Sequence, residues 1–369
     1  MSGKRVLFCG GGTAGHLFPA LAVAQKIRDT APDTAISFVG GTRALEQRLM
    51  DHYQADFIPL KIEGLKGKGI KSFKSLFLLP FAFISSLAIL IRKKPHLVIG
   101  VGGFSSGPIV LLASWCRIPT LILEQNLRPG FTNRMLIPWV KKVVVAFEES
   151  LPHFKKKGLF IGNPVREEFY AVQPKTHGEI LTVFIFGGSQ GSHILNRIVT
   201  EALPLLKPIQ SRLSFIHQTG ESDLQWVRER YAEAEFSNII IEPFLFDMPD
   251  YFQRSDLIVC RAGATTIAEL IAARRAAVLI PFAHAADNHQ VLNARLLEKH
   301  LAAEVILEEE FTPSLYARKM HNFVSNIPAV SKMEKNLAAL QTEKPADKIS
   351  DLCFELMIKR PKEDHVGKT

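Results

Sequence analysis

Short apolar runs alternate with stretches of helical spacing along the whole chain. In the first half the runs are RVLFC, AISFVG, HLVIGVGG, PTLILEQN, KVVVAF and GLFIGNPV, rich in β-branched residues and mostly closed by Gly, Asn or Pro. A helix is expected from about Pro19 to Thr30, and an apolar one ending near Lys94. The second half repeats the scheme with LTVFIFGG, RLSFIHQTG, NIIIEPF, DLIVCRAG, AAVLIPF and AAEVILEE. Strands separated by helices imply parallel sheets with crossovers, so the expected class is α/β with two doubly wound domains. The Asn-Pro step in Gly162-Asn163-Pro164 breaks helix and favours a turn. It divides the chain into residues 1–164 and 165–343. A final segment, 344–369, carries helical spacing over Asp347 to Lys359 and is expected to pack back on the first domain.

Composition narrows the class. With 369 residues, 47% hydrophobic and 22% charged, the chain has material for two ordinary cores. Cys9, Cys116, Cys260 and Cys353 form no CxxC, which fits a reducing cytoplasm and argues against a zinc site. The MSGKR start precedes too few apolar residues for a signal peptide, so a cytoplasmic protein is expected. Leu76 to Ile91 is apolar but interrupted by Pro80 and two serines, and falls short of the roughly 20 residues that span a bilayer. It reads as a surface or interfacial helix. The net charge of +9 is unevenly spread. Residues 1–165 hold 22 Lys+Arg against 9 Asp+Glu, whereas residues 166–369 hold 23 against 27. Lys66, Lys68, Lys71 and Lys74 precede the apolar run, and Arg92, Lys93 and Lys94 close it, a pattern that favours an anionic membrane surface. Nucleic acid would call for basic residues interleaved with aromatics on strands, which are missing.

Two glycine loops mark the candidate sites. VLFCGGGTAGH (Val6 to His16) and VFIFGGSQGSH (Val183 to His193) each follow a strand and lead into a helix, where backbone N–H groups and the helix dipole favour phosphate. Gly10, Gly12 and Gly15 formally satisfy GxGxxG, but the second strand ends in Gly40-Gly41-Thr42, without the acid that binds a dinucleotide ribose. A dehydrogenase is thereby disfavoured. His16 is a candidate general base, with turn capping or phosphate contact as the alternative. In RAGATTIAEL (Arg261 to Leu270), small residues would let a phosphate or sugar reach the amides of Ala264, Thr265 and Thr266. Glu269 is placed to accept ribose hydroxyls or to act as a helix-dipole carboxylate. Asp287, Asn288, His289 and Gln290 crowd a later turn suited to sugar hydroxyls. No Asp-x-Asp motif occurs, so metal-independent handling of a diphosphate is expected, with no cofactor.

Taken together, GGTAGHLFPALAVA, GLKGKGIK, GVGGFSSGP, EQNLRPGFTN, GNPVR, FGGSQGSHILN, HQTG, CRAGATTIAEL and PFAHAADNHQVLNA cover most of residues 5–295. In this order they resemble the MurG family, the UDP-N-acetylglucosamine (UDP-GlcNAc) transferases that add the second sugar to lipid I in peptidoglycan synthesis. The resemblance implies a GT-B architecture of two Rossmann-like domains flanking a cleft, with the first domain serving acceptor and membrane and the second serving UDP-GlcNAc. It implies donor contacts at Thr13, Ala14, Gly15 and Asn126, and diphosphate contacts at Arg166 and Ser189. Backbone reading of uracil falls to Leu245, and phosphate, sugar and ribose to Ala264, Thr265, Thr266, Ile267, Ala268 and Glu269. Gln290 would bind GlcNAc hydroxyls. It makes His16 the first choice of base.

Two positions depart from the family pattern. Leu123 stands where many relatives carry a histidine, which makes Glu124 the second candidate base, and Phe104 replaces a tyrosine. The implied reaction is a single inverting displacement on lipid I at the cytoplasmic face of the inner membrane, with a cell-wall synthesis complex as a further partner. The alternatives are another membrane-associated UDP-sugar transferase, such as a diacylglycerol glycosyltransferase, and a non-catalytic UDP-sugar scaffold.

Overall fold

The computed structural model describes residues 3–12, 14–60, 70–285, 288–341 and 343–358, with the side chains of 14 and 70–79 excepted. The chain divides into two compact units, Met1–Arg166 with Lys344–Thr369, and Glu167–Glu343.

The first unit is built on a seven-stranded sheet: β1 (Arg5–Gly10), β2 (Ala35–Gly40), β3 (Asp56–Pro59), β4 (Leu97–Gly102), β5 (Thr120–Glu124), β6 (Lys142–Val145) and β7 (Gly158–Phe160). Its order is β3-β2-β1-β4-β5-β6-β7, with all pairs parallel. Parallel strands covered by helices on both faces lose water from both sides, and β4 is accordingly buried at every position. Leu7, Cys9, Val98, Ile122, Val143 and Val145 pack with Ile109, Val110 and Phe154 in one core.

The second unit repeats the plan with β8 (Leu181–Phe186), β9 (Leu213–Gln218), β10 (Ile239–Glu242), β11 (Leu257–Cys260), β12 (Ala277–Leu279) and β13 (Glu304–Val305). These strands form a parallel sheet of order β10-β9-β8-β11-β12-β13. Val183, Ile185, Phe215 and Val259 pack against Leu195, Val199, Tyr231 and Tyr316 from the covering helices.

In both sheets the strand order reverses beside the first strand, between β1 and β4 and between β8 and β11. A doubly wound sheet opens a crevice at that reversal, beyond the carboxyl ends of the strands. Both glycine loops leave from those ends.

The first helix runs Ala14–Thr30, five residues earlier than its periodicity predicts: Ala14 is a strong helix former, and the helix carries the weaker former Gly15 in its first turn. The apolar helix spans Ile70–Lys93 and contains Pro80. It buries Ala82, Ser86, Ile89 and Leu90 and exposes Phe81, Ile84, Leu87 and Ile91 at helical spacing. Among the described residues, no helix is long and apolar enough to cross a membrane. The helix Pro345–Ile358 belongs to the first unit, where Asp347 pairs with Lys26 of the first helix at 2.8 Å.

Candidate active site

At the reversal in the first unit, backbone meets backbone. The Gly11 N–H donates to the Gly102 carbonyl at 3.3 Å, and a Cβ on Gly103 (φ +81°) would overlap the Gly11 carbonyl. Only glycines allow β1 and β4 to end this close together. His16 sits in the first turn of the following helix, half-buried, with Nδ1 3.1 Å from the Gly11 carbonyl oxygen. A carbonyl only accepts, so Nδ1 carries the proton in the neutral ring and Nε2 is the basic nitrogen. The ring lies against Gly102, where a Cβ would come within 3.1 Å of Cδ2 and Nε2. Thr13 lies outside the described residues, and Ala14 and Gly15 open the helix.

Next along the sheet, β5 ends in Glu124, whose buried carboxylate accepts four hydrogen bonds. Oε1 takes the Asn126 N–H at 2.9 Å and Asn126 Nδ2 at 3.3 Å, while Oε2 takes the Gly130 N–H at 3.0 Å and Asn133 Nδ2 at 2.8 Å. Burial pushes this carboxyl above its ordinary range against the pull of those donors. Glu124 therefore ties the loop from Gln125 to Gly130 to the strand end, and Asn126 is held by the same carboxylate. Arg166 is buried in this unit, with its guanidinium 4.3 Å above the Phe18 ring and Nη1 donating to the Tyr53 hydroxyl.

In the second unit the loop after β8 interlocks with the loop after β9. A Cβ on Gly191 (φ +75°) would overlap the Thr219 carbonyl, and one on Gly220 (φ +82°) the Gln190 carbonyl. Ser189 is half-buried in this turn, and Ser192 caps the helix His193–Leu206 by accepting the Leu195 N–H. The fully buried His217 is pushed down to about 3 by burial and is therefore neutral. Asn196 Nδ2 donates to the Thr219 carbonyl and to Asp223, each at 2.8 Å, so Asn196 Oδ1 accepts from His217 Nε2 at 3.0 Å. Burial alone would raise the Asp223 carboxyl, but hydrogen bonds from Asn196 and His193 outweigh it and hold it below its ordinary value.

Across the reversal, the helix Ala264–Ala273 starts directly after β11. Its first bond runs from the Ile267 N–H to the Gly263 carbonyl, which puts the amides of Ala264, Thr265 and Thr266 in the first turn, at the positive end of the helix dipole. Ala268 and Glu269 follow within the first two turns, and Glu269 is buried. Leu245 is buried, and its N–H donates to Gln218 Oε1 at 2.8 Å. Gln290 Oε1 accepts the Phe282 N–H at 3.0 Å. Asp287 lies outside the described residues. The sheet order thus groups His16, Glu124 and Asn126 in the first unit, and Ser189, the helix Ala264–Ala273 and Gln290 in the second.

Among the residues of these networks without a role in the sequence reading, three brace the glycine loops and the helix start directly. Gln218 joins the glycine loop to the Leu245 segment, donating from Nε2 to the Gly188 carbonyl at 3.0 Å. The buried Arg261 donates to Ser192 Oγ at 2.9 Å and to the Ile280 carbonyl at 3.2 Å, and pairs with Glu308. Glu46 accepts backbone amides from both loops at the end of β1 and β2. Gln218 and Arg261 stand inside motifs, HQTG and CRAGATTIAEL. The signal for Glu46 is an acid in the first turn of the helix that follows Gly40-Gly41-Thr42.

Paired Rossmann-type sheets with a glycine loop at each reversal are the architecture of the GT-B fold. The chain matches the glycosyltransferase family 28 N-terminal domain over residues 6–145 and the family 28 C-terminal domain over residues 182–351. It is 43% identical over 358 residues to the UDP-N-acetylglucosamine–N-acetylmuramyl-(pentapeptide) pyrophosphoryl-undecaprenol N-acetylglucosamine transferase of Myxococcus xanthus, covering 96% of this chain and 93% of the relative. The enzyme of the same name from Syntrophotalea carbinolica is 38% identical over 353 residues, covering 95% and 98%. Among solved structures, MurG of Acinetobacter baumannii aligns with TM-score 0.71 at 28% identity, covering 95% of this chain and 99% of that one. A UDP-GlcNAc 2-epimerase from Neisseria meningitidis shares the fold alone, with TM-score 0.65 at 13% identity. The chain belongs to the MurG family of glycosyltransferase family 28.

Proposed function

We propose that this enzyme transfers GlcNAc from UDP-GlcNAc to the C4 hydroxyl of N-acetylmuramate in undecaprenyl-diphospho-MurNAc-pentapeptide (lipid I), making lipid II. The observation that carries the reading is the 43% identity along 96% of the chain to a relative named for this transfer. The loop chemistry supports it. His16 Nε2 takes the proton of the C4 hydroxyl as its oxygen attacks the anomeric carbon of the α-linked donor. The bond from that carbon to the diphosphate breaks, UDP leaves with the electron pair, and the new linkage is β1→4.

Glu124, with both oxygens already engaged, serves by holding the loop that carries Asn126. The amides of Ala264, Thr265 and Thr266, the Ser189 turn and Arg166 meet the charge of the diphosphate, the helix dipole aiding at the first of these. Glu269 holds the ribose hydroxyls, the Leu245 carbonyl reads uracil, and Gln290 Nε2 binds GlcNAc. Thr13, Ala14 and Gly15 complete the loop, and Ile267 and Ala268 the helix start. The enzyme works as a peripheral protein on an anionic cytoplasmic membrane face. Its contact surface is the apolar stripe of Phe81, Ile84, Leu87 and Ile91, flanked by basic residues.

Turnover of a lipid I analogue with UDP-GlcNAc, measured for the parent, H16A and E269A, tests the assignment. H16A should lose at least about 100-fold in kcat with UDP affinity retained. E269A should weaken UDP binding. Parental turnover in H16A removes the base, and unchanged UDP affinity in E269A removes the ribose contact.

A further inference from the structure

Glu46 stands three residues into the helix Ala44–His52, yet its side chain is buried, 2% exposed, against the glycine loops. Its Oε1 accepts the Gly12 N–H at 2.8 Å and its Oε2 the Gly41 N–H at 2.7 Å. A Cβ on Gly11, Gly40 or Gly41 would press on this carboxylate, so three glycines form its walls. From outside, the exposed Arg43 donates Nη1 to the Gly12 carbonyl. Gly12 (φ +95°) is therefore gripped at both its backbone groups.

The Gly12 N–H and the Gly11 carbonyl belong to one peptide plane. One edge of that plane is bonded to Glu46, and the other lies 3.1 Å from His16 Nδ1. Between two glycines such a plane can flip at little steric cost, and a flip would take away the acceptor that orients the imidazole. A carboxylate on the N–H also polarises the peptide, which strengthens the carbonyl as an acceptor for Nδ1–H.

We infer that Glu46 is a positioning residue for the transfer, acting through the Gly11–Gly12 peptide on His16, with Arg43 as its outer support. The inference rests on the reading of His16 as the base. It also accounts for the acid missing at the end of β2. The loop carries its own anion at the Gly12 amide, and that amide is closed to a ligand phosphate.

A double-mutant cycle of E46Q with H16A, read as kcat on a lipid I analogue and KM for UDP-GlcNAc, tests this. Glutamine keeps one acceptor but turns an NH2 group toward one of the two amides. E46Q should lower kcat about 10- to 100-fold with the donor KM within about twofold, the size expected when a reacting group is misplaced by up to an ångström. In the H16A background the same change should alter the residual rate by less than about twofold, because the two residues act as one unit. An equal loss in both backgrounds, or parental kcat in E46Q, overturns the role of Glu46. Parental kcat in H16A overturns the base assignment instead. Should E46Q fail to fold, as judged by loss of the first unit's cooperative transition in a calorimetric melt, the exposed R43A decides. About a 3- to 10-fold loss of kcat at constant donor KM supports the inference, and parental kcat refutes it.

Discussion

Gly102→Ala is a small change with a large expected reach. Gly102 has φ +98°, and holding a residue with a Cβ there costs on the order of 1–3 kcal/mol. At roughly 2–4 °C per kcal/mol for a domain of this size, the first unit should melt about 2–12 °C lower. The added methyl group would also lie 3.1 Å from Cδ2 and Nε2 of His16, so the ring must give by a few tenths of an ångström. At about 100-fold per ångström of misplacement, that displacement lowers kcat about 3- to 10-fold. The assay is steady-state turnover of a lipid I analogue at saturating UDP-GlcNAc, with a calorimetric melt on the same preparation. Gly107→Ala is the control. It lies in the helix Ser106–Trp115, its Cβ would meet only Thr132 at an ordinary 3.4 Å, and alanine should leave kcat unchanged and stability equal or higher. Parental kcat and melting temperature in Gly102→Ala would refute the account of a glycine-lined seat for His16.

Three further outcomes are expected. His177, bonded to Asp256 at 2.8 Å and Glu334 at 2.9 Å, is raised from 6.5 to about 9 by those two carboxylates. Its contribution to the second unit is complete below pH 6.5 and is lost as pH rises through about 9, so the melting temperature should fall across that window and the fall should flatten in H177Q. An identical slope in H177Q would discard the ion cluster as its source. On anionic vesicles, F81D/I84D should abolish flotation of the enzyme while sparing turnover of a water-soluble acceptor, since Phe81 and Ile84 are 68% and 67% exposed. Parental binding should weaken with added salt, and salt-insensitive binding would contradict electrostatic docking.

The fold was legible because a parallel strand covered on both faces must be apolar nearly throughout, and twelve runs of that kind stand in the sequence. β3 escaped this reading. It is a four-residue edge strand, DFIP, with two apolar positions and a terminal proline, too little pattern to separate from loop. The loops were legible as phosphate-type turns from their glycines, whereas the side chains that brace them were not. Glu46 lies 34 residues from Gly12, and Gln218 reaches Leu245 across 27 positions. Such contacts are set by which strands the sheet makes neighbours, and local spacing carries no trace of that. Directly after Gly40 the sequence carries Gly41 and Thr42 and no acid. The structure supplies Glu46 from the next helix, turned onto backbone amides, so a dinucleotide ribose finds no carboxylate there for a different reason from the one the spacing gave.

The helix Pro345–Ile358 completes a unit whose other residues end at Arg166, so the second unit is in effect an insertion within the first. Synthesis runs from the N-terminus, and the β1 to β7 sheet emerges long before the helix that covers part of it. Ile349, Cys353, Leu356 and Met357 are buried in the finished unit, so their partners along the first helix face solvent until the insertion has been made. A ribosome that stalls within residues 167–343 leaves a nascent first unit with an open apolar seam. Such chains are predisposed to associate with one another or to recruit a holdase, and release of the last helix is the event that seals them.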